Sequence, residues 1–400
     1  MTATDAPASM NPGADGVADD VLARAAAAGT LRELRTFDGP VTRRMRHGGR
    51  DVLMFSTGNY LDLAHDPRVV EAAARAAQDW GCAAAGSRLI NGNLACHEAL
   101  EGELAAFFGA EAALVFGTGY MLNLGVIPAL VGEGDVILSD ALAHASIIDG
   151  ARLSRAEVVV VAHSDPQALA GALREVRGRA RRVLVVADGV YSMDGDVAPL
   201  AELIALARAN DAMLLLDDPH GTGTLGAGGR GTAELAGVLG GGIDVLAGTM
   251  GKALGSFGAF VVCSAKVRRL LINTARSFIF SCALAPPQIE AARAALRLLA
   301  SEPWRRVALQ ANAAHLRARL GAADIPTRPS TTHIVPVILG DNQRTMAACE
   351  ALLAQGFHAQ GIRHPSVPHG TARLRITPMA THTTAEVDAL ADAVIALARR

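Results

Sequence analysis

The chemistry of this chain is organised around Lys252, in the stretch DVLAGTMGKALGSFGAF from Asp244 to Phe260. Of 37 lysines and arginines in 400 residues, only two are lysines, Lys252 and Lys266. Arginine serves wherever a fixed positive charge is enough, whereas an amine that must lose its proton and react with a carbonyl has to be lysine. Lys252 follows a short apolar run and lies among Gly248, Gly251, Gly255 and Gly258, which let the backbone bend and come close to a ligand. Lys266, in SAKVRRLL, opens an amphipathic helical pattern beside two arginines and reads as solvated surface.

Other residues able to do chemistry stand just after short apolar runs, as Lys252 does. GTGY, Gly117 to Tyr120, opens a helix and suits a phosphate held by free backbone N–H groups. DALAHAS brings His144 and Ser146, and DGVYSMDGD brings Asp188, Ser192 and Asp194. DDPHGTG brings Asp217, Asp218 and His220, and TMGK brings Thr249 and Lys252. A phosphate cradle, a carboxylate, two imidazoles and a lone lysine match the needs of pyridoxal 5'-phosphate. The amine would form the Schiff base, and the carboxylate would keep the pyridine nitrogen protonated so that the ring accepts electrons.

Competing motifs fit less well. GKA at 251–253 is not a phosphate-binding P-loop, because Leu246 stands where the first glycine belongs and Ala253 where serine or threonine belongs. The glycine-rich stretch from Gly223 to Gly231 resembles a dinucleotide loop only loosely and follows no clean strand. His97, ahead of Leu100 and Leu104 on a helix, reads as structural, and Asp194 before Gly195 as a turn former. Arg373 and Arg375 alternate on a strand and share a face; one of them could take a substrate carboxylate in a bidentate grip. No metal-ligand spacing is present, and the five cysteines form no CxxC pair.

The elements that must position these residues alternate regularly. Near-continuous apolar runs at 112–116, 136–139, 158–162, 183–187, 213–216, 245–248 and 259–263 are expected as strands buried on both faces of a mostly parallel sheet. Amphipathic helices lie between them, which predicts an α/β domain of the doubly wound type whose ligands bind at the carboxyl ends of the strands. Residues 1–19, rich in Ala, Gly, Pro and Asp, are expected as a flexible tail. They precede an N-terminal segment over 20–60, with a helix from Val21 to Arg35 and a short strand at Pro40 to Thr42. A large domain is expected over 61–290 and a smaller C-terminal α+β domain over 291–400.

A formal charge of -2 with no basic block argues against nucleic acid as a partner, and no apolar run reaches the length of a membrane span. Scattered, odd-numbered cysteines and the lack of a signal-peptide pattern at Met1 predict a cytoplasmic protein.

The motifs SDALAHASIIDG, ADGVYSMDGDVAPL, LLLDDPHGTGTLG, GTMGKALG and GTARLRITP occur in the order and spacing of a known family. From about Arg35 onward the chain resembles the α-oxoamine synthases, within the fold type I, aspartate aminotransferase-like, pyridoxal phosphate enzymes. The resemblance implies a large domain with a seven-stranded, mostly parallel sheet and a smaller C-terminal domain. It implies a homodimer with active sites at the interface. The reaction it implies joins an amino acid to an acyl thioester of coenzyme A or acyl carrier protein, with loss of carbon dioxide.

Carried over residue by residue, the resemblance makes Lys252 the Schiff-base lysine and the base that takes the Cα proton. Asp217 then partners the pyridine nitrogen, His144 stacks on the ring, and His220 and Ser192 reach its phenolic oxygen. Gly119, Tyr120 and Thr249 bind the phosphate, and Ser281 reaches the phosphate of the other subunit. Arg375 and Asn59 are expected to bind substrate. The chain departs from the family at Gly58, where asparagine is usual, at Asp62, where glycine is usual, and at Pro219, where a small residue is usual.

Overall fold

The computed structural model describes residues 13–327 and 329–399. Helix α1 (Ala14–Ala27) leads to strands β1 (Arg44–His47) and β2 (Arg50–Met54) and helices α2 (Pro67–Trp80) and α3 (Ala95–Phe108). Residues 1–12 of the expected tail lie outside the described residues, and 14–19 belong to α1. The helix expected from Val21 to Arg35 instead stops at Ala27. Gly29, at φ +63°, provides the left-handed turn that ends a helix, and the polar and basic residues after it continue without helical bonds. The strand expected at 40–42 falls instead at β1, paired antiparallel with β2.

From Ala112 strands and helices alternate: β3 (Ala112–Phe116), α4 (Gly119–Leu130), β4 (Val136–Asp140), α5 (Ala145–Ser154), β5 (Glu157–Val161) and α6 (Pro166–Arg177). The series goes on through β6 (Val183–Asp188), α7 (Leu200–Ala209), β7 (Met213–Asp217), α8 (Gly231–Leu235), β8 (Val245–Thr249) and β9 (Ala259–Cys263). These strands make one seven-stranded sheet in the order β3-β9-β8-β7-β6-β4-β5, with only β9 antiparallel to its neighbours. The apolar runs are continuous because both faces are covered. In β7, Leu214 and Leu216 enter one core and Leu215 the other, each fully buried. Each such leucine contributes roughly 1.5–3 kcal/mol. Helices return at defined points: Asp66 and Asp165 accept N-terminal N–H groups of α2 and α6, and a proline opens each helix.

The remainder comprises α9 (Ala265–Thr274), α10 (Arg276–Ile279), α11 (Pro286–Ser301), α12 (Trp304–Ala322), β10 (Val335–Gly340), α13 (Asn342–Ala354), β11 (Phe357–His358), β12 (Gln360–Ile362), β13 (Ala372–Ile376) and α14 (Thr384–Ala398). Strands β10, β13 and β12 form an antiparallel sheet over a separate core of Leu316, Val335, Val337, Leu374, Ile376, Leu390 and Val394. Phe55 joins this core, whereas α11 buries Ile289, Ala292 and Leu299 under the large sheet. The segment from Phe55 to Tyr60 therefore runs between the two cores. Thr377 N donates to Phe55 O at 2.7 Å and Ala380 N to Tyr60 O at 2.8 Å, which pins the segment against the chain beyond β13. Among the described residues no helix is long and apolar enough to cross a membrane.

Candidate active site

Lys252 sits in the tight loop that follows β8. Thr249 starts the loop: its Oγ1 donates to Gly258 O at 3.0 Å and accepts from Gly251 N at 3.1 Å. The loop turns at Gly255, with φ +56°, where a Cβ would run into the backbone of Leu63 and Ala64. Gly58 lies against the lysine stem, since a Cβ there would stand 3.3 Å from Lys252 Cγ. Two glycines, one in each loop, thus let the 58–64 segment and the lysine loop touch.

Nζ of Lys252 is 3.2 Å from Nε2 of His220, and the other ring nitrogen of His220 is 2.8 Å from the hydroxyl of Tyr60. His220 and Tyr60 are buried. Burial, opposed by the charge of Asp217 and aided by Arg375, brings the Lys252 pKa down to about 8. His220 is held well below the usual imidazole range, first by burial and then by the charges of Lys252 and Arg375. The centre of the site is therefore a neutral imidazole beside an amine that loses its proton near neutrality.

Asp217 ends β7 and is buried, and its Oδ2 accepts from Asn123 Nδ2 at 2.7 Å. The same amide donates to Ser146 Oγ at 2.9 Å, which meets Nδ1 of His144 at 2.7 Å. Helices α4 and α5 thereby tie the carboxylate to the His144 ring. That ring is reachable by solvent on one side, and its pKa is lowered by desolvation in the cleft wall, with Asp217 opposing and Lys252 assisting. Burial raises the pKa of Asp217, against the Asn123 bond and the charges of His144 and Lys252.

Thr118 caps α4 by accepting from Met121 N at 3.1 Å, while the N–H groups of Gly119 and Tyr120 have no partner among the described residues. A Cβ at Gly119 would meet nothing within 4 Å, so this helix end opens onto free space. Arg375, on β13, donates from Nε to the carbonyl of Ser192, which joins the C-terminal sheet to the loop after β6.

The structure thus brings Lys252, His220, Asp217 and His144 together, with Arg375 close enough to depress both Lys252 and His220. Asn59 is placed differently from a ligand group. Its amide donates to Val41 O and Asp62 Oδ1 and accepts from Leu63 N and Ala64 N, so its hydrogen bonds hold the 58–64 loop. Ser281 lines a small cavity with Gly117 and Met121 and is not hydrogen-bonded to the Lys252 cluster. His97 is structural, with Nε2 2.9 Å from Leu284 O. Asp194 pairs with Arg373 and so links the loop after β6 to β13, beyond the turn-forming role its sequence suggested.

Pyridoxal 5'-phosphate fits these residues. The unpartnered N–H groups at α4 match a phosphate, the half-buried and readily deprotonated Lys252 matches the aldehyde, and the Asn123-held carboxylate of Asp217 matches a ring nitrogen. Sequence reasoning missed Tyr60 and Asn123, neither of which follows an apolar run, and the pairing of His163 with Asp140 and Asp196, although His163 and Asp140 stand directly after the runs 158–162 and 136–139. A cavity of about 660 Å³ between 31–37 and Glu350, His358 and Arg363 has no lysine and none of the cluster above.

The sequence pattern of the aminotransferase class I and II family matches residues 50–394. An 8-amino-7-oxononanoate synthase of Geobacter sulfurreducens is 50% identical over 373 residues, 93% of this chain and 94% of that protein. Among solved structures, a serine palmitoyltransferase of Sphingomonas wittichii superposes with a TM-score of 0.90 at 33% identity, covering 98% of both chains. A serine palmitoyltransferase of S. paucimobilis with a bound PLP–myriocin adduct gives 0.88 at 33% identity, covering 96% of this chain and 97% of that one. With this fold, this cleft and relatives alike over nearly their whole length, the chain belongs to the aminotransferase class I and II family and, within it, to the α-oxoamine synthases.

Proposed function

We propose that this chain is an 8-amino-7-oxononanoate synthase, which condenses alanine with a pimeloyl thioester, with loss of carbon dioxide, in biotin biosynthesis. The observation that carries the reading is the half-buried Lys252 amine, with a pKa near 8 and 3.2 Å from a neutral His220, in a chain 50% identical to a protein of that name. Pyridoxal 5'-phosphate, when bound, supplies a carbonyl for amines and a ring that stabilises negative charge on the carbon beside the nitrogen.

The chain's own residues do the rest. N–H groups of Gly119 and Tyr120 would hold the phosphate, with Thr249 at the loop beside them. Asp217, fixed by Asn123, would keep a proton on the ring nitrogen, and His144 would offer a flat face to the ring. Lys252, as a free amine, takes the proton from the substrate's α carbon at Nζ. His220 Nε2 lies within reach of that amine and would also meet the phenolic oxygen, with Ser192 nearby. Arg375, anchored through Nε to the carbonyl of Ser192, would offer its terminal nitrogens to the substrate carboxylate and so orient the bond that breaks when carbon dioxide leaves.

The same machinery would serve glycine C-acetyltransferase chemistry or that of serine palmitoyltransferase, whose solved structures superpose well. These reactions differ only in amino acid and acyl chain. A chain that binds the cofactor without turnover is the remaining alternative. The reading includes a cytoplasmic homodimer, supported by five unpaired cysteines and by exposed Ile90, Phe257 and Phe280, which a second copy would cover. It also leaves the donor as a thioester of coenzyme A or acyl carrier protein.

Borohydride reduction of the cofactor-loaded protein tests the attachment point. Peptide mapping should find the pyridoxyl group on Lys252, with the visible absorption band lost. Label on Lys266, or no label, would contradict it.

A further inference from the structure

We infer that Tyr60 is a positioning residue that holds His220 in the tautomer carrying its proton on Nε2, so that an N–H faces Nζ of Lys252.

Tyr60 is fixed on all sides. Its backbone N donates to Gly58 O and its carbonyl accepts from Ala380 N, both at 2.8 Å, and its side chain is buried. Burial raises the pKa of the phenol, so it keeps its hydrogen; the nearby Arg375 only partly offsets this. That hydrogen needs an acceptor, since a buried hydroxyl left unpaired costs roughly 1–3 kcal/mol. Arg375 can only donate. His333 packs edge-on against the Tyr60 ring, 4.2 Å between centroids, and neither of its nitrogens has a hydrogen-bond partner. What remains is Nδ1 of His220 at 2.8 Å.

The tautomer follows from this bond. A neutral imidazole has one bare nitrogen and one N–H; if Nδ1 accepts from Tyr60, the hydrogen is on Nε2. The neutral ring is enforced by burial and by the Lys252, Arg375, His333 and His144 side chains around it. Nε2–H, 3.2 Å from Nζ, can donate only to a lone pair, which an amine has and an ammonium lacks. Tyr60 thereby biases Lys252 toward its free amine. Arg375 works in the same direction, while the charge of Asp217 favours the ammonium. An N–H at Nε2 is also what the phenolic oxygen of a bound cofactor would meet. The importance of this bias for turnover rests on Lys252 being the reacting amine, but the tautomer itself does not.

Nitrogen-15 NMR of imidazole-labelled, cofactor-free protein at pH 7.5 tests it directly, with His220→Gln used to assign the signal. Wild type should show a bare Nδ1 and a protonated Nε2 at His220. Tyr60→Phe should shift the ring toward the other tautomer and raise, by about one pH unit, the midpoint for amine modification at Lys252. A proton on Nδ1 in wild type would overturn the inference and needs no variant to fold. A folded Tyr60→Phe with unchanged nitrogen shifts would overturn it too. Neither readout uses substrate, so failure of the condensation reading would leave these results standing.

Discussion

Asp188 and Asp217 stand opposite each other at the ends of β6 and β7, paired in parallel register and both buried. Two adjacent interior carboxylates cannot both carry full charge. Asp217 accepts from the Asn123 amide and has Lys252 and His144 beside it, whereas Asp188 accepts only the backbone N–H of His144. Burial, then the Asp217 charge, pushes Asp188 well above the carboxylate range. Asp188 therefore holds the proton and Asp217 the charge.

An amide resembles a protonated acid but takes up no proton on folding, so Asp188→Asn should leave the unfolding free energy at pH 7 unchanged or raise it. Urea denaturation measures this. A loss above roughly 3 kcal/mol would mean that Asp188 is charged in the folded protein.

His163 bridges Asp140 and Asp196 at 2.9 Å on each side, and Tyr191 donates to Asp140 at 2.8 Å. Burial alone would lower the pKa of His163, but bonds to the two carboxylates outweigh it and raise the value to about 10. Because the folded value exceeds the unfolded one, the stabilisation is fully present below about pH 6.5 and disappears as pH rises through about 10. His163→Gln should cost about 1–3 kcal/mol at pH 7 and flatten the fall in stability between pH 7 and 10. An equal slope in wild type and variant would contradict the bridge.

Uptake of pyridoxal 5'-phosphate by cofactor-free protein requires the Lys252 amine, whose pKa is about 8. Stopped-flow absorbance should show the rate rising about fivefold from pH 7 to pH 8 and levelling above pH 9. A rate still climbing tenfold per unit beyond pH 9 would mean an ordinary, solvated lysine.

Gly255 sits at φ +56°, and a Cβ there would collide with Ala64 N and stand 2.7 Å from the Leu63 carbonyl carbon. Gly255→Ala meets both the left-handed strain and that backbone, and should cost at least about 2 kcal/mol while loosening the lysine loop. Thermal unfolding with and without cofactor checks it. An unchanged midpoint would show that the two loops do not press together.

Much of this site was legible because its residues obey a positional rule. Asp217 and Thr249 end buried strands and Lys252 follows one, and lysine scarcity marked Lys252 before any fold was considered. The large sheet was legible for the same reason, since strands covered on both faces read as unbroken apolar runs. Tyr60 and Asn123 were not, because they act through hydrogen bonds between segments far apart in sequence: Tyr60 meets His220 and Asn123 meets Asp217. Asn59 shows the converse, a residue whose motif suggested a ligand and whose amide instead holds its own loop. The N-terminal helix was misplaced because alanine and arginine continue past Ala27, and only Gly29 and the lack of a buried face mark its end.

The central claim, that Lys252 and its neighbours run a decarboxylating condensation, is tested most directly by free-thiol release. The holoenzyme is offered alanine, glycine or serine, each with acetyl, pimeloyl or long-chain thioesters. The account predicts release with carbon dioxide, fastest for alanine with the pimeloyl donor and reduced at least about a hundredfold in Lys252→Ala. Fastest release with glycine and acetyl, or with serine and a long chain, would move the substrate assignment. No release from any pair by cofactor-loaded protein would contradict catalysis itself.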